Sequence, residues 1–582
     1  MWSHNWRDKI WATLDRPWDL IVIGGGITGA GILREATRAG LRCLLVEQRD
    51  FAWGTSSRSS KLVHGGLRYL QQGRLRLTRA AVRERERLLD EGPGLIDPLG
   101  FLLATYKDEG PGRRMCSAGL SIYDLLALQW SHRYFTAADF QRLAPYIAQD
   151  GLQGGFCYGD AQTDDARLVL RVIQEAVAAG GAAINYVRAD SLLRDARGRV
   201  IGVRLRDLEA NRTADVRGRL VVNATGAWAD RLRKQVGGRP RIRPLRGSHL
   251  IFSGQRLPVN QAITFLHPLD RRPVFIFPWE GVTLVGTTDV DHRFPLDEEP
   301  AISPEEVAYL MAAVTAQFPS LHLTLDDIMA TFAGVRPVIG AGKADPSQES
   351  RDHVVWEEAG LLTVTGGKLT TFRRVALAAL KAGRRHLGRP VRFDAHTAVL
   401  DRVSPHLPSA GLSEAVRRRL LGRYGAAAPA VVAAARSDEL TTIPGTPVLW
   451  AELRWASRAE GVVHLDDLLL RRVRLGLLLP AGGEALLPRV RAICQAELGW
   501  DDARWEAEQA AYLALWRRCY GVPDAAAIPT WEPLIARARV RHLVRRQKRR
   551  RLWRRSAFAG TALIAIGTWL WRRRRRSKAG RR

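Results

Sequence analysis

The sequence predicts an α/β fold: a mostly parallel, helix-flanked sheet, split in the chain by a mostly antiparallel one, with an α-helical domain at the C-terminal end. Three observations predict it. An apolar strand enters a glycine-rich turn near the N-terminus. Small-residue turns follow apolar strands again at 220–228 and 362–371. After about Leu400 the texture becomes Arg/Ala/Leu-rich with helical periodicity.

The first element is Leu20-Ile21-Val22-Ile23, which runs into Gly24-x-Gly26-x-x-Gly29. A helix-compatible segment and a second apolar run, Cys43 to Val46, follow and end at Glu47. Strand, glycine turn, helix, strand and terminal acid make a Rossmann-like dinucleotide site. The glycines serve the tight turn, the approach of backbone to a pyrophosphate, and close helix–strand packing. The pyrophosphate sits at the helix N-terminus, where N–H groups and the dipole favour anions. Glu47 is placed to accept hydrogen bonds from ribose hydroxyls. The fingerprint alone leaves NAD and FAD open. Its position at the start of a long chain, with the polar segment Gly54 to Gly66 next, argues for FAD, with Thr55, Ser56 and Ser57 on the diphosphate-to-flavin side.

Further along, Asp164 and Asp165 open a helical segment, Leu168 to Ala179, with acids at its positive end. Leu220 to Asn223 breaks into Ala224-Thr225-Gly226, where backbone can pass close to a cofactor. Apolar strands at His249–Phe252, Val274–Phe277 and Thr283–Val285 predict the second sheet. The chain returns with Gly334-Val335-Arg336-Pro337 and with Gly366-Gly367-Lys368-Leu369-Thr370-Thr371, which brings small residues, a cation and hydroxyls to the isoalloxazine end. The region 401–523 reads as a helical domain for packing or assembly, with helical stretches at Leu465–Leu475 and Ala503–Leu515 and few polar clusters of the kind that make sites.

At 582 residues the chain needs two or three cores. The expected division is an N-terminal helical lead at 1–18, the interleaved oxidoreductase body at 19–400, the helical domain at 401–523, and a basic tail at 524–582. The first eighteen residues lack the apolar core of a secretory signal, and Trp6, Ile10, Trp11 and Leu14 share a helical face expected to pack on the body. Five cysteines without CxxC or Cys/His pairing predict neither a disulfide framework nor zinc, and no HxxxH or HExxH spacing points to another metal.

Net charge is +30, but more than half of the excess lies between Arg537 and Arg582, where 19 Lys/Arg stand with no acid. Within that tail the uncharged run 556–571 spans roughly 24 Å as a helix, short of the ~30 Å hydrocarbon core. Trp569 and Trp571 at its edge favour a lipid interface over nucleic acid. The expected partner is an anionic lipid surface, reached by spanning or by lying in the interface.

The blocks GGGITGAG, TSSRSSKLVHGGLRYL, DDARLVL, NATGAWAD, GSHLIF, VGTTDVD, GVRPV and GGKLTTFR occur in that order. Together they resemble FAD-dependent, respiratory glycerol-3-phosphate dehydrogenase over roughly residues 17 to 520. Ala451 to Trp455 and Asp466 to Leu469 resemble that family's C-terminal domain, whereas the tail from about Asp524 does not match its pattern. The resemblance implies oxidation of sn-glycerol 3-phosphate at C2 to dihydroxyacetone phosphate, with hydride passing to non-covalent FAD and electrons to membrane quinone. It implies a location at the cytoplasmic face of the inner membrane, and a homodimer is a further expectation.

On that reading Arg336 is the first choice for the substrate phosphate or C2 oxygen, with Arg68 as second cation and Tyr69 as hydroxyl donor. His249 is the candidate base, and an arginine-polarised alkoxide is the alternative. Lys368 reaches substrate or flavin, and the cofactor set is Gly24, Gly26, Gly29, Glu47, Thr55, Ser56, Ser57, Ala224, Gly226, Lys368, Leu369 and Thr370. Lys61 reads as a structural or phosphate-side contact and Asp289 as the organiser of a turn near the substrate sheet. Three rivals stand beside this reading: an oxygen-using oxidase of the same substrate, an amine or amino-acid oxidase, and a non-catalytic, membrane-tethered flavin-binding protein.

Overall fold

The computed structural model describes residues 2, 5–67, 70, 73–107, 112–128, 130–340, 352–404, 407 and 411–538. The apolar run 556–571 and the pair Arg68 and Tyr69 lie outside the described residues.

The first strand, Trp18–Ile23, is apolar at every position after Asp19, because helices or strands cover both of its faces. It pairs in parallel with Cys43–Val46 on one side and Arg212–Asn223 on the other. The sheet continues to Ala182–Ile184 at one edge, and through Leu361–Thr365 to Val354–Glu358 at the other. Leu20 and Val22 face the helices Ile27–Arg38, Asp165–Ala178 and Phe372–Gly383. Ile21 and Ile23 face the hairpin Val187–Arg194/Val200–Asp207 and the N-terminal lead. Each of these strand side chains contributes roughly 1.5–3 kcal/mol by burial.

Trp6, Ile10 and Trp11 pack with Leu14 against that second face, as their shared helical stripe requires. Trp2 stacks on Phe51 at 5.0 Å and its indole N–H donates to the Ala183 carbonyl at 3.0 Å. The helix Asp165–Ala178 begins three residues before the sequence suggests, because the Asp164 carboxylate caps it by accepting from Arg167 N.

The second sheet has nine strands and is larger than the insert read from the sequence. Its centre is Ile242–Ser253, paired antiparallel with Val282–Gly286 and, over almost its whole length, with Ile328–Ile339. The strands Ile96–Tyr106 and Leu152–Thr163, earlier in the chain, join it through Ala262–Leu266. That junction is parallel, so the sheet is mostly antiparallel and not wholly so.

The C-terminal region is helical: Glu414–Tyr424, Ala428–Ala434, Trp450–Ala459, Leu487–Leu498 and Asp502–Cys519. One stretch departs from the expected regular helix at Leu465–Leu475. Asp467–Arg472 forms a π-helical turn, and Arg474 then adopts φ +64 before the short helix Leu475–Leu478. The wide turn directs Arg471, Arg472 and Arg474 inward, each at most 1% exposed, onto acids of the nucleotide domain. Arg472 forks onto Asp50 at 2.6 and 2.8 Å, and Arg471 Nε donates to the same carboxylate at 2.5 Å. Arg167 forks onto Glu460 at 2.6 and 2.7 Å. The domain's charged groups thus include a set that faces inward and ties it to the nucleotide domain, where periodicity does not report them.

Candidate functional site

A cleft of about 520 Å³ runs along the C-terminal ends of the parallel strands, the position at which open α/β sheets bind ligands. Gly24, Gly26, Glu47, Thr55, Ser56, Ala224, Gly226, Lys368 and Leu369 all line it. Gly24 has φ +113, and a Cβ there would come within 2.6 Å of the Ala224 carbonyl oxygen. Ser56 Oγ accepts from Ile27 N at 3.0 Å, tying the polar loop to the first turn of the helix. Glu47 accepts from Gly25 N at 2.7 Å and Arg49 N at 2.9 Å, yet burial is the larger influence and raises its carboxyl pKa.

Three other residues of the cofactor set stand behind the wall. Gly29 packs beneath the turn, where a Cβ would lie 1.9 Å from the Gly24 carbonyl oxygen. Thr370 is buried and donates to the His64 carbonyl at 3.2 Å. The Ser57 carbonyl accepts from Lys61 Nζ at 2.6 Å and from Arg474 at 2.8 Å.

The structure adds residues with no signature in the sequence. Val187 to Asp190 lie beside Glu47, where Val187 N donates to the Glu47 carbonyl at 2.7 Å. Trp53 and Trp228 form an aromatic wall with ring centroids 5.8 Å apart. At the other end Pro337 lines the cleft, so the residue after Arg336 touches the cofactor space. A periodicity switch marks none of these; only strand register could have found Pro337.

Beyond Pro337 the second sheet presents a reacting face. Leu245 pairs with Arg336, Gly247 with Gly334 and His249 with Phe332, and alternation puts Gly247 and His249 on one face of their strand. Gly247 makes room for Arg336: a Cβ there would meet its Nη2 at 2.1 Å. The guanidinium donates to Asp289 Oδ1 at 3.0 Å and Thr287 Oγ1 at 2.9 Å, so two neighbours fix its plane. Asp289 thus orients Arg336 as well as standing at the turn.

His249 is 1% exposed and stacks on Phe332 at 4.5 Å with an interplanar angle of 8°. Its Nε2 lies 2.9 Å from Ser60 Oγ. Burial first, then the positive charges of Arg336 and Lys61, push its pKa well below the usual imidazole value. These influences favour the neutral ring, the form with a free lone pair, over the imidazolium. Lys61 Nζ, fully buried, sits 4.8 Å over Phe332 and contacts both oxygens of Asp165 at 2.8 and 3.0 Å. Burial and then Arg474 push its pKa down to about 7 against the pull of Asp165.

The residues present fit a flavin dinucleotide. A glycine cradle that side chains would fill, a helix N-terminus, a buried acid after the second strand and a long cleft bordered by Pro337 of the second sheet together define a flavin-dependent oxidoreductase. The family model "FAD dependent oxidoreductase" matches residues 19–373, and "C-terminal domain of alpha-glycerophosphate oxidase" matches 372–505. Glycerol-3-phosphate dehydrogenase 2 of Mycobacterium tuberculosis is 36% identical over 521 residues, 85% of this chain and 87% of the relative. Aerobic glycerol-3-phosphate dehydrogenase of Bacillus subtilis is 39% identical over 377 residues, 64% of this chain and 67% of the relative. The solved glycerol-3-phosphate dehydrogenase of Bacillus halodurans, complexed with FAD, aligns with a TM-score of 0.72 at 28% identity, covering 89% of this chain and 98% of that one. The chain belongs to the FAD-dependent glycerol-3-phosphate dehydrogenase family.

Proposed function

We propose that the protein oxidises glycerol 3-phosphate at C2 to dihydroxyacetone phosphate and passes the electrons to a membrane quinone. The observation that carries the chemistry is that paired strands place Arg336 and His249 on one sheet face, while Pro337, next in the chain to Arg336, lines the cofactor cleft. Bound FAD supplies the hydride acceptor. Gly24, Gly26 and Glu47 would hold its adenosine diphosphate half, Ser56 its diphosphate-to-flavin side, and Lys368 and Leu369 would border its other end. Arg336, plane-fixed by Asp289 and Thr287, takes the phosphate or polarises the C2 oxygen through its forked donors. His249 accepts the C2 hydroxyl proton as the carbonyl forms.

The membrane part of the reading rests on surface chemistry. The helix Arg113–Ala127 buries Cys116, Leu120 and Tyr123, yet also exposes Met115, Ile122 and Leu125 at helical spacing, followed by Leu128 and Trp130. Arg113 and Arg114 begin this helix, and the neighbouring helix Leu75–Glu91 exposes Arg76, Arg79 and Arg83. Apolar stripe, tryptophan and arginines suit an anionic bilayer at the cytoplasmic face of the inner membrane, as the basic tail does. Among the described residues no helix is long and apolar enough to cross a membrane.

The test is anaerobic addition of glycerol 3-phosphate to the reconstituted holoenzyme while the visible flavin absorbance is followed. Bleaching with rapid recovery on adding a quinone analogue is expected. Recovery by oxygen at an equal rate, with stoichiometric peroxide, would move the protein to the oxidases. No bleaching in a flavin-loaded sample would withdraw the substrate.

A further inference from the structure

The C-terminal domain sends one side chain to the edge of the reacting face. Arg474 is 1% exposed, and its Nη2 donates to the Ser57 carbonyl at 2.8 Å and to Asp165 Oδ1 at 3.1 Å. Its Nη1 donates to the Leu470 carbonyl at 2.7 Å, which anchors the guanidinium to the π-helical turn. The acceptors it reaches are shared: Lys61 Nζ uses the Ser57 carbonyl and Asp165 as well.

Those acceptors govern the turn from Ser57 to Lys61. Ser59 donates to Asp165 Oδ2 through its backbone N–H at 2.9 Å and its hydroxyl at 2.7 Å. Lys61 has φ +56, which costs a non-glycine residue on the order of 1 kcal/mol and persists only when the surroundings hold it. Between them stands Ser60, whose hydroxyl is 2.9 Å from His249 Nε2. The other ring nitrogen, Nδ1, is buried with no hydrogen-bond partner among the described residues. Ser60 is thus the polar contact that fixes the imidazole, and its place is set by a turn with a carboxylate on one side and a guanidinium from a separate domain on the other.

We propose that Arg474 is a positioning residue for the reaction: it clamps Ser57 and Asp165 so that the Ser57–Lys61 turn presents Ser60 to His249 and holds the imidazole in register with the C2 hydroxyl. The guanidinium does two things at once: Nη2 holds the Ser57 carbonyl and Asp165, while Nη1 ties the group to the Leu470 carbonyl. A lysine there keeps the charge and one nitrogen for Ser57 and Asp165 but loses the anchor to the π-helical turn. The helical domain is then part of the active site's support, not only a packing partner. This inference rests on glycerol 3-phosphate as substrate.

Arg474→Met, Ser60→Ala and the double variant test it in flavin-loaded holoenzyme. The reading is the rate of flavin bleaching by glycerol 3-phosphate under anaerobic conditions, with the substrate concentration at half-maximal rate. Each single variant is expected to slow the maximal bleaching rate about tenfold with little change in half-saturation, since Arg336 is untouched. The double variant should be no slower than the worse single one, because both changes cut one chain of contacts. In addition, diethyl pyrocarbonate should modify His249 faster in Arg474→Met than in wild type, read by peptide mass with no turnover involved.

Multiplicative rate losses, or a wild-type bleaching rate with wild-type His249 reactivity, would overturn the proposal. If Arg474→Met does not fold, Arg474→Lys carries the test, with a smaller loss of the same kind expected and a wild-type rate counting against the clamp. Wild-type enzyme that does not bleach at all would indict the substrate. Normal bleaching in wild type and variants alike would indict the clamp alone.

Discussion

The cofactor cleft and the reacting face are built by opposite means. The cleft is made of backbone and small residues from a few contiguous segments, and its essential property is the absence of side chains at Gly24 and Gly29. The reacting face is made of side chains from separate strands and loops: His249 and Arg336 from paired strands, Thr287 and Asp289 from the loop after Val282–Gly286, and Ser60 from the nucleotide domain. A cleft of backbone tolerates no added atoms. The polar side chains of the reacting face can be shortened without a clash, and their loss is chemical, although Gly247 beneath Arg336 shares the cleft's intolerance of added atoms. The two kinds of damage should therefore look different.

Gly29→Val should give the largest effect. Its Cβ alone would lie 1.9 Å from the Gly24 carbonyl oxygen, so the turn and helix separate and the protein should purify without flavin absorbance. A yellow, fully loaded variant would show that the cleft is not built on this contact. Arg336→Ala should leave the flavin spectrum intact and lower kcat/KM for glycerol 3-phosphate by about a thousandfold, roughly 4 kcal/mol of transition-state stabilisation. Loss of flavin from that variant would blur the distinction between the two regions.

A smaller effect sharpens the contrast away from both. His464 bridges Glu508 at 2.9 Å and Glu209 at 3.2 Å, joining the C-terminal domain to the nucleotide domain. Burial pulls its pKa down, but hydrogen bonds to Glu209 and Glu508 outweigh this and raise it to about 10. The folded state holds this proton more tightly than the unfolded chain. The stabilisation is thus complete below about pH 6.5 and is lost as pH rises through about 10. His464→Ala should cost about 1 kcal/mol at pH 6 and almost nothing above pH 10, read from thermal melts, with flavin content and bleaching rate unchanged. An equal cost at both pH values would assign His464 to packing.

The same contrast explains what could be read from the sequence. Gly24, Gly26, Glu47 and Ser56 were legible because a backbone site needs a contiguous stretch of chain, and spacing along the chain is then spacing in space. His249 and Arg336 were legible only through motif blocks that resemble a known family, since nothing in GSHLIF or GVRPV says that the two strands pair. Register supplies that fact, and it also brings Pro337 to the cleft. Apolar strands at 249–285 announce the second sheet, whereas Ile96–Tyr106 and Leu152–Thr163 carry small and polar positions that interrupt the alternation and hide them in the sequence. Arg471, Arg472 and Arg474 were hidden for a further reason. In a chain this rich in arginine, three more on a helical stretch look solvated, and only their distant acids reveal them.

Those acids stand far back in the chain. Asp50 and Arg472 are 422 residues apart, and Asp165 and Arg474 are 309 apart. A ribosome working at about 5–20 residues per second releases Asp50 roughly 20–80 s before its guanidinium partners. Throughout that interval the nascent nucleotide domain carries acids whose places in the finished protein are deep inside it. Asp165 already has Lys61, but among the described residues Asp50 has no cation until Arg471 and Arg472 arrive, and burying it unpaired is costly, so its surroundings remain open to water until the last helices emerge. Completion of the enzyme is therefore a single late event, and a truncated chain that ends before Arg471 should not lock shut around its nucleotide.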